Sequence, residues 1–185
     1  MKHKLSDIAI IQSGIYAKPE LEGEVYYVQA RHFDRQHQFN LAVKPDLKAD
    51  GKIEKHFLQQ GDLLVAAKGY DHFAVEYKGI IKPAVASSMF IVVKLQDKQV
   101  LPAFLSWHIN NLQTQKRLSD VAKGTALPSI TNSDLGDLEI PVPSLEKQKL
   151  ILLIHELHVQ ENKLKEQINS LREKQIQQQI INAIK

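Results

Sequence analysis

Cysteine is absent from all 185 residues, which excludes a disulfide framework and a thiolate zinc site and fits a reducing cytosol. No apolar run approaches the roughly 18 residues that cross a bilayer. Met1-Lys2-His3-Lys4 is followed by polar residues, not by the apolar core of a secretion signal. The expectation is a soluble, cytoplasmic protein with no membrane contact. A strong charge of one sign is also missing: the net charge is +3, with 17 Lys/Arg against 16 Asp/Glu in residues 1–143 and 7 against 5 in the remainder. A nucleic-acid reader needs its basic groups gathered on one face, and composition cannot show that.

Catalytic signatures are equally sparse. No glycine-rich loop follows a strand, and no Asn/Asp-Pro-Pro-aromatic run occurs, so the marks of a methyltransferase are missing. Lys123-Gly124-Thr125 lacks the upstream glycine and the residue order of a P-loop. Ser87-Ser88 has no Gly-x-Ser-x-Gly context. His155-Glu156-Leu157-His158 falls one residue short of the His-Glu-x-x-His spacing that puts two imidazoles on one helical face, and Val159 stands where the second histidine would be. These are read as surface or interface histidines. No catalytic residue, metal site or bound cofactor is expected of this chain.

What is present is a series of short strand patterns followed by one long helix. Ser6 can cap a short helix through Ile11, ended by Ser13-Gly14. Val25–Ala30 reads as a strand, and Asn40–Val43 as a weaker one. Gly61-Asp62 is a turn into a buried strand, Leu63–Ala67. Lys68–His72 is a polar loop, with Phe73–Tyr77 as its hairpin partner. Ala84–Ser88 and Met89–Lys94 complete the strands. Pro102 suits a first helical position, and Phe104, Leu105, Ile109 and Leu112 mark a helical face that could extend to Val121. Gln113, Gln115, Lys116 and Arg117 read as its solvent face. Thr131-Asn-Ser-Asp134 matches a capping box before a short helix. Leu138–Val142 alternates like a strand, and its prolines suit a sheet edge.

Leu150 to Lys185 contains neither Pro nor Gly. A helix of about 35–40 residues, roughly 55 Å long, is expected, with Ser144 able to cap it. Leu150, Leu153 or Ile154, Leu157, Leu164, Ile168 and Leu171 recur at three and four residues, interrupted by Glu161. The stripe then drifts to Ile176, Ile180 and Ile184, as in a stutter or a hand-over between partner surfaces. One reading folds this helix back on its own domain. Its length against a domain of about 140 residues favours a partner helix. The resulting fold class is α+β: a compact mixed domain of many short strands, residues 1–143, plus a long coiled-coil-type helix, residues 144–185.

Several of these stretches carry a family resemblance. Gly124-Thr125, Ile130-Thr131, the short helix, Leu138-x-Ile140-Pro141-x-Pro143 and Gln148 resemble the junction between a target-recognition domain and a conserved helix in specificity subunits of type I restriction–modification systems. The usual Glu-Gln stands here as Lys147-Gln148. Leu5-Ser-Asp-Ile8 with Gly14 is similar to the family's opening. Gly61-Asp62-Leu63-Leu64-Val65 with Gly69 is similar to its central strand and loop.

The resemblance implies a non-catalytic subunit that reads half of a split double-stranded DNA target. Its helices would set the distance to the other half and dock adenine methyltransferase subunits, and a restriction subunit could join. S-adenosylmethionine would then bind the methyltransferase. A whole specificity subunit has two recognition domains and two conserved helices. This chain has room for one of each, so a homodimer is expected, joined through Leu150, Ile154, Leu157, Leu164, Ile168, Leu171, Ile176 and Ile180. The alternative is an interaction or regulatory relic that keeps the helix contacts without binding DNA; a lone hydrolase is the remote third.

DNA-binding candidates follow from chemistry. Arginine and lysine contact guanine edges or phosphates. Arg31, His32 and Arg35 follow a strand. Lys68, Tyr70 and His72 lie in a Gly-containing loop, and Lys123, Gly124 and Thr125 in the loop before the short helix. Each group could equally be a solvated loop.

Overall fold

The computed structural model describes residues 2–34, 36–122 and 127–184. Arg35, Lys123, Gly124 and Thr125 therefore lie outside the described residues. The chain divides into two units, Met1–Leu145 and Glu146–Lys185.

The first unit opens with β1 (Lys2–Lys4), α1 (Leu5–Ile8), β2 (Ala9–Ser13) and β3 (Tyr26–Val28). Next come β4 (Leu63–Ala66), β5 (Ala74–Glu76), β6 (Ala84–Ala86) and β7 (Phe90–Leu95). The helices α2 (Pro102–Asn110), α3 (Leu112–Val121) and α4 (Asn132–Gly136) precede β8 (Glu139–Pro141). An antiparallel sheet in the order β2-β7-β4-β5 carries the fold. β1 pairs antiparallel with β8, and β3 pairs parallel with β6. The result is the mixed α+β architecture expected from the strand and helix patterns.

β4 is central in its sheet and buried at every position, as an uninterrupted Leu-Leu-Val-Ala run requires. One core cluster gathers Leu64, Ala66, Phe73, Phe90 and Val92 with Val28 and Ala86, so it spans two sheets. A smaller one joins Val25, Tyr27, Leu47 and Val85. Fully burying each large apolar side chain contributes about 1.5–3 kcal/mol. Asp62, at the entry to β4, is itself buried. It accepts the Gln59 N–H at 2.9 Å and pairs with Lys94 Nζ at 3.0 Å. Gly61 before it takes φ +93°, a backbone state that glycine adopts without steric cost. The Gly-Asp turn thus anchors the strand.

Four local expectations are corrected. The opening helix stops at Ile8, and Ala9–Ser13 instead pairs with β7. Its apolar residues satisfy a sheet edge, and the β-branched pair Ile10-Ile11 favours that outcome. The helix follows Lys4, whose N–H meets the Asp7 carboxylate at 3.2 Å, so Ser6 is not its cap. Asn40–Val43 is a turn: the Asn40 side chain accepts the Ala42 N–H at 2.9 Å, the local bond through which Asn competes with strand pairing.

The third and fourth corrections concern the helix after Pro102. It breaks at Asn111, in extended conformation, whose side chain caps α3 by accepting the Thr114 N–H at 2.9 Å. The break shifts the helical phase, so Leu112 is exposed while Phe104, Leu105 and Ile109 are buried. Gln115 also leaves the expected solvent face. Its amide donates to the carbonyls of His72 and Ile109 at 3.0 and 2.9 Å.

α4 begins as its capping box predicts, with Thr131 Oγ1 accepting the Asp134 N–H at 3.1 Å and Asp134 accepting the Thr131 N–H at 2.8 Å. β8 lies in a two-stranded sheet, where its proline is tolerated.

The second unit is α5, Leu145–Ile184, 40 residues without interruption. Leu150, Ile154, Leu157, Leu164, Ile168, Leu171, Ile176 and Ile180 are all about half exposed along it. Glu161, in the middle of the stripe, is engaged by Lys165 at 2.6 Å. Among the described residues no helix is long and apolar enough to cross a membrane.

Candidate nucleic-acid interface

Three loops that are distant in sequence are tied together at one place on the first unit. The first follows β3. Ala30–His32 form a single 3-10 turn, and Phe33 and Phe39 then bridge across a tight loop. Phe33 anchors it by packing against Phe73 and Phe90, with ring centroids 5.6 and 5.7 Å apart. Asp34 shapes the tip, its carboxylate accepting the N–H groups of Gln36 and Gln38 at 2.9 and 2.8 Å. His37 sits there with φ 58° and stacks on Phe73 at 4.2 Å.

The second loop runs from Lys68 to His72, between β4 and β5. Asp71 reaches back to the first loop, its carboxylate 2.8 Å from His37 Nε2. The third loop precedes α4. The Gly69 N–H donates to the Pro128 carbonyl at 2.9 Å, Lys68 bridges Ser129, and the Ile130 N–H donates to the Ala67 carbonyl at 2.8 Å. Gly69 takes φ +116°, so a side chain there would be strained. The structure therefore ties together, through His37 and Asp71, the loops that carry two of the candidate groups, Arg31/His32 and Lys68/Tyr70, and pairs the second of these loops with the segment directly after residues 123–126.

Within this row the candidates play different parts. Arg31 is exposed, and Lys68 is exposed with no carboxylate partner among the described residues. Tyr70 is 83% exposed. His32 is half-buried. Its Nδ1 accepts the Gln29 N–H at 3.2 Å, and burial, reinforced by the Arg31 charge, holds its pKa below the ordinary value. It acts as a neutral acceptor that shapes the turn.

His72 is corrected outright: it is 1% exposed, and its Nδ1 donates to the Ala66 carbonyl at 3.0 Å. It is a core histidine that closes the loop from inside and offers no edge to a ligand. The bond to Ala66 and the Gln115 amide on its own carbonyl hold it inside, which the polar composition of the loop had hidden.

His37, Asp71 and Gln115 were missed by the sequence reading. Their roles depend on hydrogen bonds between segments 34 to 43 residues apart, for which no local pattern exists. Among the described residues no group of three or more His, Asp or Glu side chains could hold a metal ion. His155 and His158 are exposed on α5, where His158 faces Glu161 at 3.8 Å.

Comparison with known proteins places this geometry. The family model of the type I restriction modification DNA specificity domain matches residues 2–174. The HsdS subunit from Thermoanaerobacter tengcongensis shares the fold at 16% identity with a TM-score of 0.69, over 91% of this chain and 44% of that one. The type I restriction-modification S subunit from M. genitalium does so at 18% identity and a TM-score of 0.57, over 85% and 38%. The chain thus spans less than half the length of either structure. None of the curated proteins matches it in sequence. Matched almost from end to end, through the loop-bearing unit and most of α5, the chain belongs to the type I restriction modification DNA specificity domain family.

Proposed function

We propose that this chain is the non-catalytic DNA-recognition subunit of a type I restriction–modification complex and that its first unit reads one half of a bipartite duplex target. The observation that carries the reading is the family match from residue 2 to residue 174. The joined loops support it: the loops that carry exposed Arg31, Lys68 and Tyr70 are fastened to one another through His37–Asp71. Cations on a rim release counterions from phosphates, and side chains between them are placed to read base edges.

The second half of the target comes from a second copy. α5 is about 60 Å long at 1.5 Å per residue, and its half-exposed apolar stripe suits another helix of the same kind. Antiparallel pairing would carry two recognition units to opposite ends, and such a dimer reads an interrupted palindrome. In this proposal adenine methyltransferase subunits dock on the complex and hold S-adenosylmethionine, and a restriction subunit joins them.

The test is selection from a random duplex pool by the full chain assembled with its methyltransferase subunit. One enriched sequence motif is expected. An assembled complex that enriches none would overturn the recognition role and leave a subunit that only bridges proteins.

A further inference from the structure

We propose that the ring of Tyr70 contacts bases of the recognised duplex and is the sequence-discriminating residue of the Lys68–His72 loop, an inference that rests on the recognition role proposed above. A tyrosine carries a large apolar face, and leaving it in water forgoes the burial that aromatic side chains usually provide. Tyr70 is left 83% exposed at the tip of a loop that is otherwise fastened.

The fastening is on both sides of the ring. On the N-terminal side, Gly69 N–H binds the Pro128 carbonyl at 2.9 Å and Lys68 bridges Ser129. On the C-terminal side, Asp71 pairs with His37 at 2.8 Å. Next to it, buried His72 donates to Ala66, and its carbonyl takes the Gln115 amide at 3.0 Å. These bonds order the loop backbone before any ligand arrives, so the backbone entropy that a loop ordinarily loses on binding is already spent. The loop holds the ring outward.

Charge decides between this ring and the other prominent tyrosine. Tyr16 is 90% exposed and has Lys18 two residues on, but three exposed carboxylates, Glu20, Glu22 and Glu24, follow it, and among the described residues only Glu20 of these has a lysine partner, Lys48 at 2.8 Å. That surface repels a polyanion. Tyr70 stands two residues from exposed Lys68, and the one carboxylate beside it, Asp71, is engaged by His37. An exposed ring beside a cation suits a duplex: the cation meets the phosphate backbone while the ring packs on apolar base edges such as the thymine methyl in the major groove.

The experiment repeats the duplex selection with the full chain and its methyltransferase subunit, comparing wild type with Tyr70→Ala, Tyr70→Phe and Lys68→Ala. Tyr70→Ala is expected to lower affinity for the selected site about tenfold, the loss of about one base contact, and to relax preference at one or two adjacent positions. Its salt dependence stays unchanged, because a neutral side chain displaces no counterion. Tyr70→Phe is expected to stay close to wild type. Lys68→Ala should weaken all sequences alike and lower the salt slope by about one.

An unchanged motif and affinity in Tyr70→Ala, with wild type still selective, would overturn the Tyr70 assignment alone. A loss in Tyr70→Phe equal to that in Tyr70→Ala would overturn the ring contact. A wild-type complex that selects no sequence would overturn both this inference and the recognition role. Equal melting temperatures of the variants confirm that each comparison is made between folded proteins.

Discussion

The two units of this chain use the same apolar residue types to opposite ends. In the first unit Leu63, Leu64, Leu105, Phe90 and Phe104 are no more than 1% exposed, and their partners belong to the same chain. In α5, Leu157, Leu164, Ile168 and Leu171 are 48–64% exposed. An isolated helix gains little from intrinsic propensity and takes most of its stability from packing its apolar face. The first unit therefore encloses its own core, whereas α5 has its stabilising surface on the outside. The contrast separates a part that buries its apolar residues from a part that leaves them half exposed.

The sharpest way to break that contrast is to remove one core side chain and one stripe. Phe90→Ala should cost about 3–5 kcal/mol, visible as a large fall in the melting temperature of the full chain. A loss below about 1 kcal/mol would mean the two sheets are not joined through Phe90. Leu164→Ala with Ile168→Ala should leave that melting transition in place. It should instead weaken self-association by at least about tenfold, or 1.4 kcal/mol, measured by sedimentation equilibrium. If the wild-type chain is strictly monomeric at tens of micromolar, the homodimer is wrong, and a heterologous helix becomes the partner to test.

Smaller effects sharpen the comparison. Thr131→Ala removes the side-chain acceptor that starts α4 and should cost about 1 kcal/mol. Equilibrium urea unfolding measures it, and no change would show that the Asp134 half of the capping box suffices.

Acid should separate the two units. Burial holds His32 and His108 below their ordinary value of 6.5. The unfolded chain therefore takes up these protons before the folded one does. The stability they contribute is complete above 6.5 and is lost as pH falls through that value towards the folded pKa values. Lys165 holds the Glu161 carboxyl below its ordinary 4.5, so the contribution of this pair to α5 fades only at still lower pH. Melting curves of the first unit's tertiary signal should drop between pH 7.5 and 5.5, and His108→Gln should flatten that drop. A flat profile in wild type would contradict the assignment of these imidazoles as neutral.

The sequence made the self-contained pieces legible. β4 and β7 are short β-rich runs, α4 carries its capping box, and α5 is a 40-residue stretch, beginning at Leu145, that is free of Gly and Pro. Each depends on neighbours within a few residues. Part of what was lost depends on distant partners. Ala9–Ser13 has an apolar pattern that fits one helical turn or one strand, and only β7 decides between them. The break at Asn111 rests on a local cap, but a continuous apolar periodicity masked it.

At the interface, loop composition identified Arg31, Lys68 and Tyr70 as surface groups. It misplaced His72, which is held inside by its bond to the Ala66 carbonyl, and it was blind to the His37–Asp71 pair that joins two loops. At the interface, legibility therefore followed the range of the interaction, whereas the local bonds of Asn40 and Asn111 were masked by neighbouring apolar residues.

The measurement that tests the whole account most directly is a base-resolution map of methylated adenines in DNA from cells that carry this chain and its methyltransferase subunit as their only adenine-modifying system. Two identical units, each reading one half-site and joined through α5, predict modification at an interrupted palindrome with two inverted copies of one short motif at fixed spacing. Breaking the dimer with Leu164→Ala and Ile168→Ala should erase the pattern. Modification at an uninterrupted motif, or at two unrelated half-sites with no inverted repeat, would contradict the account.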